Sequence, residues 1–332
     1  MYQAFYQLKD QPFRLTPDPS FICMTAHHQE ALAGLVYSVC TRPGLMVLTG
    51  EAGTGKTTLL YSLLELLEKR RFITATCTNP IMTREELFDF LMLKLGTDCR
   101  SSLKNRQLSA LEDTLTRYRA DGRPAVLIID EAQRLPMDLL EEVRLLLNLE
   151  TSREKLLQII LAGQPELEDL LQQPELRQFK QRVSVHCKLK SLSLSEVKEY
   201  IDHRLAQAGL PQQTLFPEAV IQRIHRYSGG IPRLVNTLCD ASLQVGFGTR
   251  AAVITLPVVE EAATDLNLAH PASYMVSSAA ERMSLPTEPA PTNGHAAVDG
   301  NGFGEDNRMP MGSYASRQKS AGIFAGLLDR WR

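Results

Sequence analysis

The stretch Val47–Leu60, VLTGEAGTGKTTLL, decides how the rest of the chain is read. It passes from an apolar, strand-like run through Gly50, Gly53 and Gly55 into a lysine, two threonines and a leucine-rich helix. Glycine loses more backbone freedom on ordering than any other residue. A cation at a helix start also opposes the positive end of the macrodipole. An anion resolves both difficulties. Gly50-x-x-x-x-Gly55-Lys56-Thr57 is the phosphate-cradling pattern, and it sits after a strand and at a helix start, as that pattern requires. The loop Gly50, Glu51, Ala52, Gly53, Thr54, Gly55 can wrap a phosphate chain with its N–H groups turned inward. Lys56 is expected to reach the β- and γ-phosphates and the Thr57 hydroxyl to ligate Mg2+. Thr58 is expected to cap or position the loop.

Two further segments extend the site. In AVLIIDEAQ (residues 125–133), Asp130 ends an apolar strand, where an unpaired carboxylate would be costly. It fits the acid that holds Mg2+ through water. Glu131 follows and is expected to face the γ-phosphate, orienting and deprotonating the attacking water. The alternative is that both acids cap the next turn. Gln164, in IILAGQPEL at the end of a later strand, is expected beside the second and third strand ends, sensing the phosphate or helping to place the water.

Outward from these motifs the chain reads as an α/β protein with a parallel sheet. Strands are expected at GLMVLTG, RFITATCT, AVLIID, LLQIILAG and VSVHCKL. Helices are expected from Lys56 to Glu68, Arg84 to Leu95, Lys104 to Ala120 and Met137 to Leu149. The near-absence of polar alternation in AVLIID is expected when helices cover both faces of a sheet. After Leu192 the pattern becomes all-helical: Ser195–Ala208, Pro217–Tyr227, Pro232–Phe247 and Pro257–Leu266, with LSLSE and LFPE as start signals and SGGIP as a stop and restart. The expected organisation is a nucleotide-binding α/β domain over residues 1–191, N-terminal segment included, and a helical lid over 192–267. A disordered Pro/Gly/Ser/Ala-rich linker over 268–316 and a short amphipathic tail over 317–332 follow.

Composition sets limits. Of the 332 residues, 44% are hydrophobic and 22% charged, and the net charge of −2 argues against a wholly basic nucleic-acid binder. The six cysteines form no C-x-x-C pair and read as reduced thiols. The N-terminus lacks the signature of a secretory signal, and no apolar run approaches the ~20 residues of a membrane span. A cytoplasmic protein is expected.

Together, GEAGTGKT, LIIDEAQ, AGQPEL and SGGIPRLVNTLCD resemble an AAA+ ATPase. The resemblance is to the ExeA, or general secretion pathway protein A, family. Its relatives include ATPases of exopolysaccharide export and transposition ATPases of the MuB/TniB type. FRLTPDPSFICMTAHHQEALAGLVYSV resembles that family's opening segment, so the likeness spans residues 1–266. It implies a P-loop AAA+ fold, ATP and Mg2+ as ligands, and ATP hydrolysis. Gly50, Gly53, Gly55, Lys56 and Thr57 then resemble Walker A, Asp130 and Glu131 Walker B, Gln164 sensor 1 and Arg233 the sensor 2 arginine of the lid. A trans arginine from a neighbouring subunit would be Arg182, with Arg177 as the alternative.

The resemblance also implies a homo-oligomer acting with an envelope or export-system protein. The tail Ser320–Arg332 is read as a docking segment for a protein or for the inner-membrane surface. Secretion-type members commonly continue into a membrane span and a peptidoglycan-binding domain; neither is expected in these residues. In the alternative function the partner is DNA, bound in the transposition-targeting manner by Arg177, Lys180, Arg182, Lys188 and Lys190.

Overall fold

The computed structural model describes residues 1–16, 21, 23–99, 101, 103–210 and 214–268. The expectations for the linker and the amphipathic tail beyond residue 268 lie outside them. Five parallel strands, β1 (Leu45–Gly50), β2 (Ile73–Cys77), β3 (Ala125–Ile129), β4 (Leu157–Gly163) and β5 (Val183–Leu189), form one sheet in the order β2-β3-β4-β1-β5. All five follow the apolar runs of the sequence, and β1, β3 and β4 are buried along their whole length.

Their alternate side chains feed two cores, because successive residues of a strand point to opposite faces. Leu45, Val47, Leu127, Ile129, Ile159 and Leu161 pack against α4 (Arg84–Lys94), α5 (Lys104–Ala120), α6 (Met137–Leu146) and α7 (Glu166–Leu171). Met46, Leu48, Val126, Ile128 and Ile160 pack on the other side against α2 (Ala26–Thr41) and α3 (Lys56–Lys69). Both faces being covered is what makes the central strands continuously apolar.

Most helices begin where their start signals lie. Thr83 and Glu86 form a capping box on α4, and Ser193 and Glu196 form one on α9 (Leu194–Gln207). Helix α2 has no such signature. Ala31, Leu32, Ala33, Leu35, Val36 and Val39 are all buried in it, so its apolar residues form no single stripe at helical period. Where this helix packs on β5, a Cβ at Gly34 would make an ordinary 3.4 Å contact with Cys187 Sγ.

The helical lid comprises α9, α10 (Glu218–Ser228), α11 (Pro232–Gly248) and α12 (Leu256–Asp265). Its core also contains Tyr2, Tyr6, Leu8, Phe13 and Phe21. The N-terminal segment, which the sequence reading attached to the α/β domain, therefore packs into the lid. The Tyr2 hydroxyl donates to Asp240 Oδ1 at 2.5 Å, Lys9 N to Ala208 O at 2.8 Å and Arg204 Nε to Pro12 O at 2.6 Å. Amphipathic residues scattered through a turn-rich stretch carry no periodicity that would announce which core they join. Leu268, assigned to the linker, is likewise buried in the lid core.

Arg233 N donates to Gly53 O at 3.2 Å, a backbone contact between lid and sheet layer, and at the start of the lid Leu192 N donates to Gly230 O at 2.8 Å. Among the described residues no helix is long and apolar enough to cross a membrane.

Candidate functional site

The site forms where the parallel strands end. After Gly50 the chain turns through Gly53 (φ +82°) and Gly55 (φ +97°), left-handed conformations that favour glycine. Helix α3 then starts at Lys56. The Thr54 hydroxyl ties the loop to itself by donating to Glu51 O at 2.8 Å. Lys56 Nζ donates to Gly50 O at 2.7 Å and to Glu51 O at 3.0 Å, inside the curve of the loop. Burial pushes the Lys56 pKa down, opposed by the charges of Glu131, Asp130, Glu51 and Glu166.

Asp130 continues from β3 and meets α3 across the sheet ends. Its Oδ2 accepts from the Thr57 hydroxyl at 2.9 Å, and its Oδ1 accepts from Glu131 N at 2.9 Å. Hydroxyl and carboxylate oxygens in contact are the hard donors that Mg2+ takes, usually beside water and phosphate oxygens. Among the described residues no group of three or more His, Cys, Asp or Glu side chains could hold a metal ion. An ion between Thr57 and Asp130 would thus draw its remaining ligands from phosphate and water.

Glu131 adopts the left-handed conformation (φ 55°). This costs a residue with a side chain about 1–2 kcal/mol and turns the chain sharply after β3. The turn brings two amides onto its carboxylate: Gln133 Nε2 donates to Glu131 Oε2 at 2.7 Å and Gln164 Nε2 donates to the same oxygen at 3.3 Å. Gln133 Oε1 in turn accepts from Gln164 N at 3.1 Å. Gln164 lies at the end of β4, between β1 and β3. Its expected position beside the second and third strands is corrected to this extent, because β3 separates β4 from β2. Its side chain holds Glu131, and Gln133, which the sequence reading passed over, completes the clamp.

A second unanticipated residue lies under the loop. His28, on α2, places Nε2 3.0 Å from Thr54 O and Nδ1 2.7 Å from the Thr25 hydroxyl. A carbonyl only accepts, so Nε2 carries the proton and Nδ1 accepts from Thr25. Burial pushes the His28 pKa down, opposed by its bond to the Thr54 carbonyl.

A cavity of about 500 Å³ runs from the glycine loop to the lid. Ala52 to Thr58, Glu131 and Gln164 line it from the sheet layer, and Phe21, Leu192, Tyr200, Arg204, Arg233 and Asn236 from the lid and its N-terminal segment. Arg233, in the first turn of α11, exposes its side chain to this space while its backbone rests on Gly53.

Arg177 and Arg182 do not line that cavity. Arg177 starts α8 (Arg177–Lys180), and Arg182 precedes β5 with its Nη1 2.8 Å from Asn148 Oδ1. Both lie at the edge where the strands begin, whereas the loop lies where they end. The five cations considered for DNA do not form one patch. Six residues of extended chain carry Lys188 about 20 Å from Arg182, and Lys188 Nζ lies 3.3 Å from Glu168 Oε1.

A parallel sheet with an inserted strand between the loop strand and the acid strand, capped by a helical lid, defines an AAA domain. An AAA domain model matches residues 39–171. Solved structures agree on the fold. The chain aligns with the Aeropyrum pernix ORC2 protein in its ADP form at a TM-score of 0.56 and 15% identity, covering 77% of this chain and 73% of that one. It aligns with Drosophila ORC bound to DNA at 0.61 and 16%, covering 80% and 65%. With Cdc6p of Pyrobaculum aerophilum the values are 0.56 and 17%, covering 79% and 70%.

Over 249 residues, 74% of the chain, the sequence is 42% identical to General secretion pathway protein A of Aeromonas hydrophila. Across that shared stretch it belongs to the same family of AAA+ proteins. The stretch is 45% of the relative, so the chain spans about half the length of the protein it matches.

Proposed function

We propose that the protein binds Mg-ATP between the glycine loop and the paired acids, hydrolyses it, and couples the reaction to the angle of its lid. The observation that carries this reading is the clamp on Glu131. Two glutamine amides fix its carboxylate beside a phosphate-type loop, and a protein that only bound nucleotide would have no use for a positioned base. Loop N–H groups and Lys56 would hold the β- and γ-phosphates. Thr57 and Asp130 would hold Mg2+, which when bound neutralises developing phosphate charge. Glu131 would take a proton from the attacking water as that water bonds to the γ-phosphorus and ADP leaves.

Arg233 sits on the lid at the cavity mouth, and its backbone touches the loop, so nucleotide state and lid position are expected to be coupled. A neighbouring copy would supply Arg182, or Arg177, from the opposite edge of its own sheet. That geometry favours a homo-oligomer. Kinship with General secretion pathway protein A supports a role beside an envelope secretion or export system. The length of β5, which sets Lys188 about 20 Å from Arg182, does not favour DNA as the partner.

The test is ATP turnover by the full chain and by Glu131→Gln. Loss of a general base typically lowers turnover by about 10²–10⁴-fold, and ATP affinity is expected to stay near that of the parent. Undiminished turnover in the variant would remove Glu131 from its assigned role.

A further inference from the structure

His28 touches the phosphate loop but belongs to neither of the elements that the loop joins. It lies in the first turn of α2, and three observations fix its ring there. Its Nε2 donates to Thr54 O at 3.0 Å. Its Nδ1 accepts from the Thr25 hydroxyl at 2.7 Å. Thr25 is the N-cap residue of α2, yet its side chain makes no cap bond. A threonine in that position ordinarily accepts from a backbone N–H of the first turn, and here the hydroxyl is turned to the imidazole instead. Gly55 also backs onto the ring, since a Cβ there would lie 3.1 Å from His28 Nε2. Thr25, His28 and Thr54 are all buried.

What the ring meets is the peptide between Thr54 and Gly55. Helix α3 does not hold the Thr54 carbonyl, because Leu59 N donates to Gly55 O, one carbonyl later. A trans peptide is planar, so its C=O and N–H point in opposite directions. With Thr54 O turned onto His28, the Gly55 N–H points away from the ring, and a loop of this kind grips phosphate with such N–H groups. Were the peptide to rotate, it would present a carbonyl oxygen to the anion. We propose that His28 is a positioning residue of the nucleotide site: by holding Thr54 O it keeps the Gly55 N–H aimed at the phosphate chain before nucleotide arrives. Preorganisation of this kind raises affinity by lowering the cost of ordering the site. This inference rests on the Mg-ATP reading above and adds a residue of α2 to the phosphate grip.

The test measures equilibrium binding of Mg-ATP and Mg-ADP to the full chain and to three variants, each checked for folding by its thermal transition. His28→Ala is expected to bind both nucleotides about tenfold more weakly, close to the worth of one hydrogen bond to a charged group. His28→Gln keeps a donor for Thr54 O and is expected to restore the affinity. Val36→Ala removes buried volume from the same helix, about two turns further on, and is expected to lower the thermal midpoint with affinity unchanged. A further measurement needs no variant: in the wild type the Gly55 amide proton resonance is expected to move downfield as Mg-ADP binds. Unaltered affinity in a folded His28→Ala protein would overturn the inference. So would a His28→Gln protein as weak as His28→Ala, which would mean that ring packing matters and the donated bond does not. An equal loss of affinity in Val36→Ala would reduce His28 to a structural role and overturn it too. If His28→Ala does not fold, the Gly55 resonance decides, and a proton unmoved by bound Mg-ADP overturns the inference. In each of those cases nucleotide binding to the wild type survives. Failure of the wild type to bind either nucleotide would overturn the Mg-ATP reading, and this inference with it.

Discussion

Replacing Gly53 by alanine should disturb the junction between loop and lid more than its own backbone. A Cβ at Gly53 would lie 2.7 Å from Arg233 Cβ and 3.1 Å from Ile231 Cγ2. The first contact cannot be relieved by rotating a side chain, because both Cβ atoms are fixed by their backbones; the second can be eased by turning Ile231 about χ1. Two costs combine. The left-handed φ of +82° disfavours alanine by about 1–2 kcal/mol. Overpacking against α11 adds about 1–3 kcal/mol, or else drives the lid outward. Gly122 supplies the control: it also has positive φ (+68°), but a Cβ there meets nothing within 4 Å. Gly122→Ala should therefore show only the first cost. The assay is denaturant unfolding of the two variants side by side, with ATP affinity measured on each. Gly53→Ala is expected to lose about 1–3 kcal/mol more than Gly122→Ala, or to keep stability and lose affinity as the lid separates. If Gly53→Ala matched Gly122→Ala in both stability and ATP binding, the close approach of Gly53 to Arg233 would be refuted.

Two other perturbations probe the scaffold. Glu142, 1% exposed, accepts from Lys104 Nζ at 2.8 Å and lies 2.9 Å from Arg84 Nε, joining α4, α5 and α6. The double variant Arg84→Ala/Lys104→Ala leaves its carboxylate buried without a counter-charge and should cost about 3–5 kcal/mol in an unfolding titration. His28 should make the protein acid-sensitive. Its folded pKa lies below the ordinary 6.5 because of burial, so the unfolded chain takes up the proton first. Stability is present above 6.5 and is lost as pH falls from there through the folded value. Thermal midpoints on either side of that window should fall less in His28→Gln, whose amide can still donate to Thr54 O.

Much of this was legible in the sequence, for physical reasons that differ from element to element. The apolar runs of β1, β3 and β4 and the LSLSE start of α9 are local signals, and the structure places these elements where those signals lie. Lys56, Thr57, Asp130 and Glu131 were legible because glycines, a cation and acids at strand ends make poor sense without an anionic ligand. What depended on long-range placement was not. Gln133 becomes a clamp only because Glu131 turns left-handed and β4 inserts beside β3, and neither is written in a local pattern. His28 lies on a helix buried on several sides, so no stripe marked α2. Phe13 and Phe21 could have joined either core, and tertiary contacts, of Arg204 with Pro12 and Phe21 and of Phe13 with Phe216, place them in the lid.

The account stands most directly on where a triphosphate is held. Titration of Mg-ATP into the wild type and into Lys56→Ala, each checked for folding by its thermal transition, measures this. The account predicts saturable binding to the wild type and a loss of about tenfold or more in Lys56→Ala, because a buried charged hydrogen-bond donor to phosphate contributes about 1.5–3 kcal/mol. Binding of equal strength to a folded Lys56→Ala protein would contradict it.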